Sequence, residues 1–299
     1  MNKISVVINT LNEEQNIKRV LSSVQWADEV VVCDMYSDDK TVEIAKEMGA
    51  KVVFHKKTGY VEPARNFAIS QAQSQWILLL DADEEVPSRL AEKIKEIVSE
   101  DGFDFVLVPR KNIIFGKWME YSGWWPDFNI RLFKRGQVTW KEAIHSKPQT
   151  QGKELRLGED QEMALTHHHY ESIAQFLERM NRYTGIQAKE LKDSGYVFNS
   201  RDLIKQPLDE FLGRFFGREG YRDGLHGFVL SLLQAFSFLV VYLKVWENQG
   251  FSAQDVSLGD LNKETKKAFR DTQYWIKLVQ LPKSGLKRYA QKMKDLLTF

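Results

Sequence analysis

The sequence predicts an α/β fold, a mostly parallel sheet flanked by helices, followed by a helical C-terminal region. Three observations predict it. Over the first hundred residues, short β-branched runs alternate with helical stretches, the pattern of βαβ units. These runs are continuously apolar rather than alternating, as strands are when helices cover both faces of the sheet. Beyond Tyr170 the periodicity turns helical.

Taken in order, strands are expected at Ile4–Ile8, Glu29–Cys33, Lys51–Phe54 and Trp76–Leu80. Helices are expected at roughly Glu13–Val24, Lys40–Met48, Val61–Gln73 and Ser88–Ser99. "FDFVLVPR" reads as a further strand, and "NIRLFKRGQVTW" as a pair of short strands around Arg135-Gly136. The intervening "IFGKWMEYSGWWPDF" is rich in aromatics. "SIAQFLERMNRYTGIQAKELKDSG" has a helical period and a glycine stop. A long apolar helical stretch and a charged tail follow. Two domains are expected, residues 1–170 and 171–299.

A chain of 299 residues has ample room for a core, and 43% hydrophobic with 28% charged residues is ordinary for a globular protein. A formal net charge of +1 provides no global basic field, so nucleic acid is not expected as a partner. The lone cysteine, Cys33, cannot form an internal disulfide and reads as a buried structural thiol of a reducing compartment. "MNKISVVINTLNEE" does not read as a signal peptide, so a cytoplasmic location is expected.

Ligands of such sheets bind outside the carboxyl ends of the strands. The residues there are Asn9, Thr10 and Asn12, then Asp34, then His55, then Asp81 and Asp83. The first turn, "NTLNEE", contains no G-x-G-x-x-G, and no P-loop is present. Something other than a glycine-rich cradle must hold any phosphates. Asp81 and Asp83, two residues apart, can converge on a hard divalent cation, which prefers oxygen ligands. Plainer readings exist for each residue. Asn12 could cap a helix beginning at Glu13, Asp34 and Ser37 could be turn residues, and Arg65 could lie on a helix surface. The clustering of such residues at carboxyl strand ends favours a site, since a sheet built only for stability has no need of it.

Four segments, "ISVVINTLNEEQNI", "VVVCDMYSDDKTVEIA", "KKTGYVEPARNFAISQA" and "WILLLDADEEV", come in an order and spacing that resembles the family 2 inverting glycosyltransferases, which carry the GT-A fold. "WWPDFNIRLFKRG", "AIHSKP", "LTHHHYESIAQFLERMNRYT" and "GYRDGLHGF" are similar to the branch containing lipopolysaccharide inner-core β-glucosyltransferases. The resemblance implies a GT-A-type, Rossmann-like sheet. It implies metal-assisted transfer of sugar from a UDP-sugar to a glycan or lipid-linked acceptor, in cell-envelope polysaccharide or lipopolysaccharide synthesis. By the same resemblance Thr10, Asn12 and Glu13 line the nucleoside pocket, and Asp34 accepts the imide N–H of uracil. Arg65 sits near the base and diphosphate, Asp81 and Ala82 contact the nucleotide-sugar, and Asp83 binds Mg²⁺ or Mn²⁺. One histidine of the triplet 167–169, with His167 and His169 as the candidates, completes the metal shell or touches the diphosphate.

An inverting displacement needs a general base for the acceptor hydroxyl. Asp127, in the aromatic "WWPDF", is the first candidate, and Glu142, near His145, is the second. Glu159 and Asp160 are further carboxylates in this region. Two competing functions are a nucleotidyltransferase making a nucleotide-sugar, against which "NTLNEE" argues, and a non-catalytic glycan-binding scaffold. A last expectation concerns membranes. "GFVLSLLQAFSFLVVY" is uncharged but shorter than the roughly 20 apolar residues of a spanning helix. Ser231, Gln234 and Ser237 mark one moderately polar side of it. It reads either as a buried core helix or as a helix at a membrane surface. Arg214, Arg218 and Arg222, at i, i+4 and i+8 beside Phe211, Phe215 and Tyr221, would form a basic face suited to anionic lipid at the inner side of the cytoplasmic membrane.

Overall fold

The structure, a computed structural model, describes residues 2–57, 61–141 and 148–280. The chain divides into two compact units. One comprises Met1–Trp118 and Trp124–His169, the other Met119–Gly123 and Tyr170–Phe299.

The first unit is built on a sheet of ten strands among the described residues. Strands β1 (Ile4–Thr10), β2 (Glu29–Asp34), β3 (Lys51–Phe54) and β4 (Trp76–Asp81) run parallel in the order β3-β2-β1-β4. Helices α1 (Ile17–Ser23), α2 (Thr41–Glu47) and α3 (Glu62–Ser70) connect them. This is the Rossmann-like arrangement expected. Every residue of β1 is buried, and its side chains alternate between two cores. Ile4, Val6 and Ile8 join one core with Ile17, Val20, Leu90 and Ile94, while Val7 joins the other with Ala64, Ala68 and Leu79. Burial on both faces is why the run is continuously apolar. Each such side chain contributes roughly 1.5–3 kcal/mol.

After β4 come β5 (Glu84–Glu85), α4 (Ser88–Glu100), β6 (Phe105–Ile114), β7 (Lys117–Trp118) and β8 (Asp127–Lys134). They are followed by β9 (Val138–Thr139), β10 (Gln149–Thr150), β11 (Glu154–Arg156) and β12 (Leu165–Tyr170). Beyond β4 the sheet continues β8-β6-β12-β5, with β8 antiparallel to both β4 and β6. β12 pairs antiparallel with the two-residue β5, setting His167 opposite Glu84.

The first helix starts at Ile17, not at Glu13. Residues 12–14 instead bond to the loop after β2 and to the first residue of α2. Asn12 N donates to Ser37 Oγ (2.8 Å), Glu13 N to Thr41 Oγ1 (2.8 Å) and Glu14 N to Asp39 Oδ2 (3.0 Å). The helix-cap reading of Asn12 is therefore incorrect. Asn12 has φ 55°, and its side-chain oxygen accepts from Asp38 N (3.0 Å).

The second unit is helical. It contains α5 (Ile173–Asp193), α6 (Asp202–Leu212), a π-helical turn at Gly213–Gly217, a 3-10 turn at Gly220–Asp223, α7 (Leu225–Asn248) and α8 (Leu258–Gln280). Ser172 caps α5, accepting from Gln175 N (3.1 Å). The carboxylate of Asp223 accepts from Tyr121 N (2.9 Å), which ties residues 119–123 to this unit. A Cβ at Gly227 would lie 1.9 Å from Gly220 O, so only glycine lets α7 approach that turn so closely. The expected basic helix face does not form, because the three arginines fall on different elements. Arg214 lies in the π-helical turn and pairs with Glu210, Arg218 follows that turn, and Arg222 lies in the 3-10 turn and pairs with Glu219 (2.8 Å).

Candidate active site

The carboxyl ends of β1, β2 and β4 lie side by side in register, with Thr10 opposite Asp34 and Asn9 opposite Asp81. Asp34 is fully buried. Its two oxygens accept from Ser37 N (2.8 Å) and Ser37 Oγ (2.5 Å), and Ser37 Oγ in turn accepts from Asn12 N. Asp34 thus fixes the turn that braces the Asn12–Glu14 loop, so the turn reading describes contacts it does make. The carboxylate of Glu13 accepts from Asn16 Nδ2 (2.7 Å). The buried Asn9 side-chain amide and Thr10 Oγ1 have no hydrogen-bond partner among the described residues. Orphaned buried polar groups cost free energy, and these stand at the mouth where a ligand of this sheet would bind.

At the tip of β4 a network of charges begins. Asp81 pairs with Arg65 Nη2 (3.1 Å) and Arg131 Nη2 (2.6 Å). Burial alone would raise the Asp81 pKa, but Arg131, Arg65 and Arg110 outweigh it and hold the carboxyl well below the usual range. Arg65 is not a surface residue. It is largely buried, and its guanidinium carbon lies 5.9 Å from the centroid of the Trp140 ring. Ala82 is buried in the turn that follows. Glu84, fully buried, accepts from Arg131, from Arg110 Nη1 (3.1 Å) and from Asp81 N (3.1 Å). Arg110 also pairs with Asp127 (2.6 Å). Three arginines and three carboxylates are interlocked, without net charge.

Asp83 lies at the strand tip as expected, yet it is buried, 7% exposed. Its Oδ1 is 3.4 Å from His167 Nε2, and His167 Nε2 is 3.3 Å from His169 Nδ1. Asn112, on β6, defines the state of His167. Its Nδ2 donates to Trp124 O (2.8 Å), which turns its Oδ1 toward His167 Nδ1 (2.6 Å). Nδ1 therefore carries a proton toward Asn112, and Nε2 faces the Asp83 carboxylate, a placement that a proton on Nε2 or a cation between the two groups would satisfy. The arrangement also matches a metal-binding histidine oriented through its other ring nitrogen. Among the described residues, however, no three acidic, His or Cys side chains are arranged to hold an ion by themselves. Asp83 with His167 and His169 would therefore need further ligands from outside these side chains to hold a cation. His168 is turned to Glu85, 3.5 Å away.

Asp127, the first residue of β8, joins the same cluster. It accepts from Asn112 Nδ2 (3.3 Å) and Asn129 Nδ2 (3.0 Å) besides Arg110. Burial pushes its pKa up, but Arg110 and these bonds more than reverse that and lower it. Trp124 packs near His169, ring centroids 5.5 Å apart. Glu142 and His145 lie outside the described residues. Glu159 and Asp160 are not part of the network, and Asp160 caps the short turn Gln161–Met163 and lies 3.9 Å from Arg89. The sequence reading missed Glu84, Arg110, Asn112 and Arg131. For Arg110, Asn112 and Arg131 the only local signal is polar residues within strands that are otherwise apolar, as in "FVLVPRKNII" and "NIRLF", and Glu84, in a strand of two glutamates, has none.

Residues 5–151 match the family described as "Glycosyl transferase family 2". An uncharacterized glycosyltransferase of Rickettsia typhi is 34% identical over 257 residues, covering 83% of this chain and 88% of that protein. A lipopolysaccharide core biosynthesis glycosyltransferase, LpsC of Rhizobium meliloti, is 23% identical, covering 84% and 94%. Among solved structures, glucosyl-3-phosphoglycerate synthase from Mycobacterium tuberculosis with Mn²⁺, UDP and glucosyl-3-phosphoglycerate is 24% identical. That match covers 37% of this chain and 44% of that one, with a TM-score of 0.31.

Proposed function

The chain belongs to glycosyltransferase family 2, and from that premise we propose that it transfers sugar, with inversion, from a UDP-sugar to a glycan or lipid-linked acceptor in cell-envelope polysaccharide or lipopolysaccharide synthesis. The observation that carries this reading is the Asp83–His167–His169 group, oriented through Asn112, beside the arginine-rich tip of β4. The likeness to LpsC over most of both chains supports the lipopolysaccharide context.

In this reading Asp83, with His167 and His169, would hold Mn²⁺ or Mg²⁺, which would supply positive charge to neutralise a leaving diphosphate. Imidazole nitrogen in the donor set suits Mn²⁺ better than Mg²⁺. Thr10, Asn12 and Glu13 line the nucleoside pocket, Asp34 accepts from uracil, and Asp81 with Ala82 meets the sugar nucleotide. Arg65, locked to Asp81, offers its guanidinium toward phosphate oxygens. The acceptor hydroxyl attacks the anomeric carbon as the diphosphate leaves from the opposite face, and its proton passes to a carboxylate. Asp127 is ionised at neutral pH and partly exposed beside Trp124, as a base must be. Held low by Arg110, it is a weaker proton acceptor than an unpaired carboxylate. Glu142 is the alternative. Residues 1–170 form the donor-binding and catalytic part, and residues 171–299 serve the acceptor side.

A thermal-shift panel of nucleotide-sugars with and without Mn²⁺ tests the donor, since a ligand that binds only the folded state raises its stability by mass action. A UDP-sugar with Mn²⁺ should raise Tm and turn over, and Asp83→Ala should lose the metal-dependent part of both. Turnover by that variant at the wild-type rate would refute the metal assignment, and no shift with any UDP-sugar would refute the donor class. Asp127→Asn and Glu142→Gln compared at saturating donor identify the base. Its removal should cost about 10²–10⁴-fold in turnover.

A further inference from the structure

We propose that α7 docks the protein on an anionic lipid bilayer, lying in the plane of the surface with its outer ridge immersed in the headgroup–acyl boundary. The helix distributes its polarity in the reverse of the usual sense. Its outward face carries Leu225, Phe228, Leu232, Phe236 and Leu243, all exposed, from 74% at Leu225 to 38% at Leu243. Its protein-facing side carries Gly227, Ser231 and Ala235, spaced i, i+4 and i+8, with Leu230, Val241 and Val245. A helix that meets water outside and a core inside shows the opposite pattern. Small residues toward neighbouring helices with Leu and Phe outward is how helices pack when the outer medium is lipid. Ser231 Oγ, buried, bonds to Gly227 O (2.7 Å), so the first residue of the polar stripe turns inward, while Gln234 and Ser237 are half-buried.

Spanning is excluded by the neighbours. Among the described residues α7 is the one helix long and apolar enough to cross a membrane, but α5 and α6 pack along it. α5 carries Glu178, Arg182, Lys189 and Glu190 on exposed positions, which hydrocarbon would not tolerate. Only one side of α7 can meet lipid, so the helix lies flat. A second copy of the chain suits the ridge less well. From Leu225 to Leu243 it is about 27 Å long and about 10 Å wide. Roughly 270 Å² is a third of the ~800 Å² per partner of a stable protein interface. A bilayer needs no matching shape.

The ridge has an aromatic and basic margin. Phe228 touches Phe211 and Phe215 (ring centroids 6.0 and 5.4 Å), and Phe215 touches Phe216, which stacks on Trp275 of α8 (6.3 Å). These half-buried rings suit the interfacial zone. Arg218, exposed beside them, has no carboxylate partner among the described residues. α8 carries Lys263, Lys266, Lys267, Arg270 and Lys277 against Asp260, Glu264 and Asp271, with Leu261 and Phe269 exposed. That margin complements anionic headgroups.

The proposal stands whatever the donor sugar. Flotation of the full chain with vesicles of phosphatidylglycerol and phosphatidylethanolamine tests it. Wild type should float, and Leu232→Ser/Phe236→Ser/Leu243→Ser should lose roughly 100-fold in partitioning with an unchanged circular dichroism spectrum and Tm. Arg218→Glu should weaken binding to these vesicles and not to purely zwitterionic ones. Wild type left in the soluble fraction at low salt, or a triple variant that floats as wild type does, overturns the proposal. A solution dimer without flotation, converted to monomer by the triple variant, overturns it in favour of a second copy on the ridge.

Discussion

Glu84→Gln is the most informative single substitution in the charge network. The Glu84 side chain is fully buried and is the common acceptor for Arg131, Arg110 and the Asp81 backbone N–H. With Arg65, Asp81 and Asp127 it completes a set of three positive and three negative groups. Glutamine keeps the shape and one acceptor oxygen but leaves one buried positive charge uncompensated. Breaking a buried pair in this way costs about 3–5 kcal/mol, and the retained acceptor argues for the lower end. For a unit of this size about 3 kcal/mol corresponds to a fall in Tm of roughly 6–12 °C. Urea unfolding should show the same loss as a shifted midpoint at constant slope, since the surface exposed on unfolding is unchanged. Removing the matching cation should recover part of it. In Glu84→Gln/Arg131→Met the charge count balances again, and the double variant should be more stable than the sum of the singles predicts by about 1–2 kcal/mol. A Glu84→Gln protein within about 1 kcal/mol of wild type, or strictly additive singles, would refute the account of the network as a balanced buried cluster.

Three further outcomes follow from the site. Asp127 is held below its unfolded value, so the unfolded chain binds the extra proton between the two pKa values. Its stabilisation is therefore full above about pH 4 and is lost as pH falls through the folded value; an acid titration of Asp127→Asn should show a shallower loss below pH 4 than wild type, and an equal slope would contradict the assignment. Because the described residues hold no complete metal cluster, Mn²⁺ should bind weakly alone and at least 10-fold more tightly with UDP present; calorimetry showing equal affinity would count against a shared shell. Cys33 is buried, and burial followed by the neighbouring Asp34 pushes its thiol up to about 12, so a disulfide reagent at pH 8 should modify it only on unfolding.

The parallel half of the fold was legible in the sequence because burial on both faces writes a continuous apolar run into β1 and β4, while the edge strand β3, whose residues are half-buried or exposed, was found to the residue from its β-branched Val52-Val53 pair. The position of the Asp pair was legible, since Asp81 ends β4 and Asp83 follows in the turn, as the end of the apolar run implied. Helix α1 was misjudged at its start because Asn12, Glu13 and Glu14 spend their backbone N–H groups on Ser37, Thr41 and Asp39, residues about 25 positions away. The Arg214, Arg218 and Arg222 spacing was a true helical period in the sequence, but Gly213, Gly217 and Gly220 sit where the chain departs from α geometry, and the shared face is lost.

What joins the site is the least legible part, and the reason is physical. Periodicity reports which face of an element is buried, not which residue stands across from it. Glu84 meets Arg131 at a separation of 47 residues, and His167 meets Asn112 at 55. Both encounters depend on the antiparallel half, where β8 and β6 pair through a register shift at Val106/Leu107 and β12 finds the two-residue β5. Neither the shift nor a strand so short leaves a periodic trace. The polar residues they gather are nonetheless the ones a buried environment tolerates only in company, since a lone arginine or carboxylate there would stay uncompensated. Arg131, between Ile130 and Leu132, and Arg110 and Asn112, in a short polar run of an otherwise apolar strand, therefore imply partners on other strands even before those partners can be named. Once β5, β6, β8 and β12 are in place, the partners are the same groups that flank Asp83, so the network that satisfies the buried charges also fixes the geometry of the site.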